Sequence, residues 1–209
     1  MTGLRTKLDA GLERLGLDLP EAVRDGLIAY VELLAKWNRA YNLTAVRDPA
    51  EMVTRHLLDS LAVVPYLTGQ RVIDVGTGGG LPGIPLALVF PGRQFVLLDT
   101  NSKKTRFLVQ AKAALRLENV TVVHARVKEY RDDQLFDCII TRAFASVADI
   151  LKGSRHLLAP DGEFLAMKGA VPEAELAELP QGFCLKEVIA LKVPGLEKEQ
   201  RHLLRIDRE

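Results

Sequence analysis

The 209-residue chain is poor in cysteine, in aromatic rings and in excess charge. Its two cysteines, Cys138 and Cys184, have no metal-ligand spacing and make no disulfide framework. Cys138 lies in the apolar run FDCII and reads as a small buried hydrophobe. Aromatics are 6 % of the residues, with one tryptophan, which excludes a stacking platform of many rings. Lys plus Arg number 28 against 27 Asp plus Glu, a net charge of +1 that argues against a polybasic nucleic-acid binder. No apolar stretch reaches the roughly 18 residues of a membrane span. The N-terminal MTGLRTKLDAGLERLG has no signal-peptide core. With no heptad and no apolar patch standing out, the expectation is a cytoplasmic monomer with no membrane or metal partner.

What is present suits a globular fold: 48 % hydrophobic and 26 % charged residues, in a length for one domain or one domain with an appendage. Residues 1–70 look helical. Leucines at 4, 8, 12 and 15 share one helix face. Pro20 suits the first turn of a second helix running to about Asn38. Asp48, Pro49 and Glu51 read as N-cap, N1 and N3 of a third helix over 49–67. From residue 71 short apolar runs alternate with helical patterns: RVIDV, QFVLLD, VTVVH, FDCII and GEFLAMK read as strands. The helices expected between and after them are 83–90, 102–116, 146–158 and 172–178. FCLKEVIALKV and RHLLRI follow as an antiparallel pair at the sheet edge. This alternation predicts an α/β fold, residues 71–209, with a mostly parallel Rossmann-like sheet and the helical part packed on it.

The most specific motif is Asp74-Val-Gly-Thr-Gly-Gly-Gly-Leu-Pro-Gly83, directly after the first strand. Gly76, Gly78 and Gly80 suit a sharp turn that a ligand approaches along the main chain. The following helix N-terminus favours an anionic ligand group. Asp99, ending the second strand, can accept both hydroxyls of an adenosine ribose. Two details favour S-adenosylmethionine over a dinucleotide. The glycines are spaced D-x-G-x-G-x-G, and Asp74 would repel a pyrophosphate but attract an ammonium or sulfonium group.

Basic residues are placed rather than abundant. Residues 102–116 hold five basic residues and no acid. Of these, Lys103, Lys104 and Arg106 fall near the ligand-binding ends of the strands. Arg142 follows the fourth strand at the ligand edge; Lys168, which ends the fifth, and Arg47, Arg55, His56, Arg201 and His202 complete the candidate nucleic-acid contacts. His56 and Asp59, three residues apart, read as a helix-face pair. His124 reads as a strand end, Trp37 as a core anchor, and Glu173 with Glu175 as a solvated face.

DVGTGGGLPGIPLA, preceded by YNLTAVRDPAEMVTRHLLDS and followed by TRAFAS, FLAMKG and RHLL, resembles the bacterial RsmG family over about residues 30–206. These are small-subunit ribosomal RNA guanine-N7 methyltransferases, also called glucose-inhibited division protein B. The resemblance implies a class I methyltransferase fold, S-adenosylmethionine as cofactor, and 16S ribosomal RNA or the 30S subunit as partner. It assigns Gly76 and Leu81 to the cofactor loop, Val127 and Lys128 to the pair beside the adenine, and Arg142 to the cofactor cleft. Where the family often has an acid second in that pair, this chain has Lys128, with Glu129 next. The position after the fourth strand reads Thr141-Arg142-Ala143-Phe144, not the [N/D]-P-P-[Y/F] of amino-group methyltransferases. Guanine N7 has a lone pair and no proton, so no general base is required. Arg142 then suits the methionine carboxylate or an RNA phosphate, and Phe144 either a stack on a splayed base or a core position. Three other readings stay open at this point: a methyltransferase of a small molecule or another RNA, a nicotinamide oxidoreductase, and a cofactor-sensing RNA-binding protein.

Overall fold

The computed structural model describes residues 2–142 and 146–208. Ala143 and Phe144, and with them either role expected of Phe144, lie outside the described residues.

Seven strands form one sheet among the described residues: β1 Arg71–Val75, β2 Gln94–Asp99, β3 Val120–His124, β4 Phe136–Thr141, β5 Leu158–Lys168, β6 Phe183–Ala190 and β7 His202–Arg208. Their order is β3-β2-β1-β4-β5-β7-β6. Strands β1 to β5 run parallel, with Val72 opposite both Phe95 and Cys138. Val72–Val75 and Phe95–Asp99 are buried on both faces, which is why these strands read as continuous apolar runs rather than alternating ones. Chain order reverses between β1 and β4. That switch point opens a crevice beyond the carboxyl ends of the strands. The antiparallel pair expected at the sheet edge is present. β7 sits between β5 and β6, antiparallel to both, and β6 forms the edge. β6 stops at Ala190, shorter than the run to Val193 suggests.

Helices α5 Gly83–Val89, α6 Ser102–Leu115, α7 Val147–Ser154 and α8 Glu173–Ala177 belong to this part; α1 Thr2–Leu15, α2 Glu21–Tyr41, α3 Pro49–Met52 and α4 Asp59–Leu61 precede it. α2 runs past Asn38 and stops at Asn42, which adopts the left-handed conformation with φ 51°. The single helix expected over 49–67 is broken. A π-helical turn, Val53–Leu58, separates α3 from α4, and a 3₁₀ turn, Val64–Tyr66, follows. Asp48 caps α3 as expected, accepting from Ala50 N at 3.0 Å. Glu51 turns instead to Arg55. α7 also ends early, at Ser154.

One apolar cluster joins Leu8, Leu27, Leu34 and Leu57 of the helical part to Leu86, Leu97 and Phe107. A second, on the opposite sheet face, holds Ile73, Val96, Ile139 and Phe164 under Val147 and Leu151 of α7. Each fully buried Leu or Phe contributes about 1.5–3 kcal/mol. The helical part therefore forms one cover of the sheet and one wall of the crevice.

Candidate functional site

The crevice holds a cleft of about 950 Å³, lined by the glycine loop, Asp99, Val127, the 43–46 segment, and Arg55, Asp59, Arg142 and Arg201. The loop is held by its neighbours. Gly76 N donates to Leu98 O at 2.9 Å, and the hydroxyl of fully buried Tyr30 on α2 donates to Gly79 O at 2.7 Å. Burial pushes the Tyr30 phenol well above its ordinary range, so it stays protonated as a donor. Gly76, Gly78 and Gly80 have φ of 71°, 63° and 93°, conformations that a side chain would strain. Gly76 and Gly78 face the cleft. Gly80 does not. A Cβ there would meet Ile84 at 2.6 Å and Leu108 at 2.9 Å, so this glycine allows helix packing rather than ligand approach, a correction to its expected role.

Asp99 is buried at the floor of the cleft. Its Oδ2 accepts from Gly78 N at 2.8 Å and its Oδ1 from Asn101 N at 2.8 Å. A carboxylate has about four lone-pair sites, so two remain for a diol. Asn101 also caps α6 through Lys103 N. Asp74 is a second correction. It lies beneath the loop, fully buried and outside the cleft lining. Its Oδ2 accepts from Thr77 Oγ1 at 2.7 Å and from Gly83 N at 2.9 Å, which ties the loop shut. Its Oδ1 is buried without a partner among the described residues. Burial pushes the carboxyl up to about 6.

The facing wall is built on Asp59. The π-helical turn brings Arg55, His56 and Asp59 to one side of the cleft. Asp59, 4 % exposed, accepts from Arg142 Nη1 at 2.9 Å and from Arg201 Nε at 3.2 Å, one on each oxygen. Arg142 also donates to Arg55 O at 3.2 Å. His56 is not Asp59's partner, contrary to expectation. Its Nε2 meets Thr44 Oγ1 at 2.9 Å, and burial, aided by the Arg142 charge, lowers it to about 4.

The other expected site residues divide. Leu81, Val127, Lys104, Lys168 and His202 line the cleft. Lys104 Nζ lies 4.0 Å from Asp99 Oδ2, so it faces the carboxylate rather than only solvent. Lys168 pairs with Glu175 at 3.4 Å, and Glu175 also accepts from Val147 N, so Glu175 is no solvated face. His202 Nδ1 donates to Gly169 O at 2.6 Å. Lys128 is exposed outside the lining, its side chain against Gly153 of α7. Arg47, Lys103 and Arg106 are exposed and also lie outside it. Trp37 packs between Tyr41 and Phe107, at 5.1 and 5.8 Å between ring centroids. His124 donates to Thr100 O at 2.9 Å. Sequence reasoning missed Tyr30, Thr44 and Thr77, Glu199 beside Arg55 and Arg201, and Asp59 as the wall's centre. Asp59 had a signal: it is a carboxylate inside the apolar stretch Leu57–Val64.

These residues fit an adenosine-bearing methyl donor: a buried carboxylate with vacant acceptor sites, open glycine backbone beside it, and apolar Leu98, Val127 and Ile150 for a purine. The strand order, with the glycine loop and Asp99 at its switch point, defines a class I methyltransferase fold. Solved structures share it at low identity. A glycopeptide N-methyltransferase, MtfA, complexed with S-adenosylmethionine, aligns with TM-score 0.63 at 12 % identity, covering 74 % of this chain and 87 % of that one. The N-methyltransferase NodS from Bradyrhizobium japonicum aligns with TM-score 0.57 at 12 % identity over 84 % of this chain and 98 % of its own. The GidB family, rRNA small subunit methyltransferase G, matches residues 24–204, and the chain belongs to that family. Ribosomal RNA small subunit methyltransferase G of Ectopseudomonas mendocina is 56 % identical over 93 % of this chain and 91 % of its own length. The protein of that name from Salmonella arizonae is 53 % identical over 95 % of each.

Proposed function

We propose that the protein transfers a methyl group from S-adenosylmethionine to N7 of one guanine in 16S ribosomal RNA, acting in the cytoplasm as a monomer on the 30S subunit or its RNA. The observation that carries this reading is one cleft with Asp99 and the open Gly76–Gly78 backbone on its floor and Asp59, Arg142 and Arg201 on its wall, in a chain of this family. When bound, S-adenosylmethionine supplies an electrophilic methyl group on a sulfonium. In this reading Asp99 holds the ribose hydroxyls, Gly76, Gly78 and Leu81 the methionine part, and Val127 the adenine. Residues 1–70 serve as a brace for the loop and as the RNA-facing wall.

The chain's chemistry is positioning. N7 has no proton to remove, and His56, held near 4, is neutral at neutral pH and adds no charge. The methylated base becomes cationic, so an unneutralised cation near it would oppose the reaction. Arg142 and Arg201 share the Asp59 carboxylate, which offsets part of that charge. Holding base and methyl donor in line supplies up to roughly 7–11 kcal/mol of the barrier reduction. Lys103, Arg106 and Arg47 supply exposed positive charge for the RNA backbone. The test is deletion of the gene, followed by chemical-cleavage mapping of N7-methylguanine in 16S RNA. Loss of one methylated guanine is expected, and an unchanged map refutes the reading.

A further inference from the structure

Three side chains form a closed fork at the mouth of the cleft. Glu199, on the segment joining β6 to β7, accepts from Arg55 Nη2 at 2.7 Å, Arg55 Nη1 at 3.2 Å and Arg201 Nη2 at 2.8 Å. The two arginines come from opposite ends of the chain, 55 on the π-helical turn and 201 just before β7. Both line the cleft, and Glu199 caps their outer ends.

We infer that Arg55 and Arg201 form a seat for one RNA backbone phosphate, and that Glu199 fills this seat until RNA displaces it. The inference rests on the ribosomal RNA reading above and adds the contact and its masking. A guanidinium takes a carboxylate and a phosphate by the same forked geometry, so the two anions compete for one place. The seat does not depend on Glu199 for its shape. Arg55 Nε is also held by Glu51 at 3.0 Å, and Arg201 Nε by Asp59 at 3.2 Å. Displacement is inexpensive. The Glu199 side chain is 36 % exposed, so water and salt screen the pairs that RNA must replace. The segment below it stays anchored by buried Leu191, Val193 and Leu196, with Glu199 N donating to Leu196 O at 2.9 Å. Only one side chain must rotate. The pairing with Arg55 and Arg201 also holds the Glu199 carboxyl below its usual range, so it stays an anion that competes with phosphate.

The experiment compares wild type with Glu199→Gln and Glu199→Asp. It measures KM for 30S subunits in methyl transfer and, separately, the affinity for labelled polyuridylate by fluorescence anisotropy, both across a salt series. Glu199→Gln is expected to lower KM and tighten polyuridylate binding about threefold to tenfold at low salt. It should steepen the salt dependence by about 0.7–0.9 in log–log slope, the share of one phosphate. Glu199→Asp, with shorter reach, should move both in the same direction by less, which preserves the test should Glu199→Gln fold poorly. Unchanged or weakened RNA binding in these variants overturns the inference, because Glu199 would then only order the arginines. Failure of the RNA reading itself looks different: wild type would transfer no methyl group to 30S subunits or their RNA.

Discussion

Arg142 and Asp59 lie 83 residues apart in the chain and meet at 2.9 Å in the cleft. Asp59 holds Arg201 on its other oxygen at 3.2 Å, so one buried carboxylate ties the π-helical turn to the end of β4 and the start of β7. The helical part and the sheet thereby share one wall of the site.

Replacing Asp59 by Asn leaves two guanidinium groups sharing a neutral partner. The expected loss is about 2 kcal/mol of stability, less than the roughly 3–5 kcal/mol of a fully buried pair, because both arginine side chains are about a quarter exposed, at 24 % and 23 %. Urea unfolding measures it. Methyl transfer should fall at least about tenfold, equivalent to about 1.4 kcal/mol, while a stability loss with full activity would remove Asp59 from the site.

Asp99→Ala should weaken S-adenosylmethionine binding by about tenfold to a hundredfold, as expected when hydrogen bonds to a charged group are lost. Isothermal calorimetry reads this directly. The variant also loses the acceptor for Gly78 N, so its melting curve must accompany the titration. Unchanged affinity refutes the ribose role.

Tyr30→Phe removes the only atom by which α2 donates a hydrogen bond to the glycine loop among the described residues. About 1–2 kcal/mol of stability should be lost as the Gly79 carbonyl loses this donor. Cofactor affinity should fall several-fold, since the loop is braced from the helical side. A phenol that matters only for volume would leave both quantities unchanged in Tyr30→Phe.

His56 and Asp74 give the stability profile two opposing slopes. The folded His56 titrates near 4, below its ordinary 6.5. Its contribution is complete above the ordinary value and is lost as pH falls through about 4. Asp74 runs the other way. Its folded value is raised from 3.8 to about 6, so its contribution is complete below the ordinary value and is lost as pH rises through about 6. Wild type should therefore show a muted dependence between the two. Denaturant unfolding of His56→Gln isolates one slope: relative to wild type the variant should gain up to about 3 kcal/mol between about pH 7 and about pH 4. A flat difference would mean that His56 is solvated in the folded protein.

Much of this architecture was legible in the chain. β1, β2 and β4 are buried on both faces, so their apolar runs stand out without any partner being known. The glycine loop and Asp99 depend on local spacing around one strand–helix turn. What stayed hidden depends on distant partners. Asp74 looks like a ligand group until Gly83, nine residues on, folds back over it. The π-helical turn has no propensity signature that distinguishes it from ordinary helix over 49–67. Counting basic residues suggests a cationic rim, but acids distant in the chain also pair with it: Glu199 and Asp59 lie 144 and 142 residues from Arg55 and Arg201 respectively. The neutral total charge is thus repeated locally at the mouth of the cleft.

The most direct measurement is transfer of labelled methyl from S-adenosylmethionine to purified 30S subunits from a strain lacking this gene, followed by borohydride and aniline cleavage of the 16S RNA. One strand break at a single guanine, lost in Asp99→Ala and Arg142→Ala, is the predicted result. No incorporation into 30S subunits or naked 16S RNA, or label on an exocyclic amino group instead of N7, would contradict it.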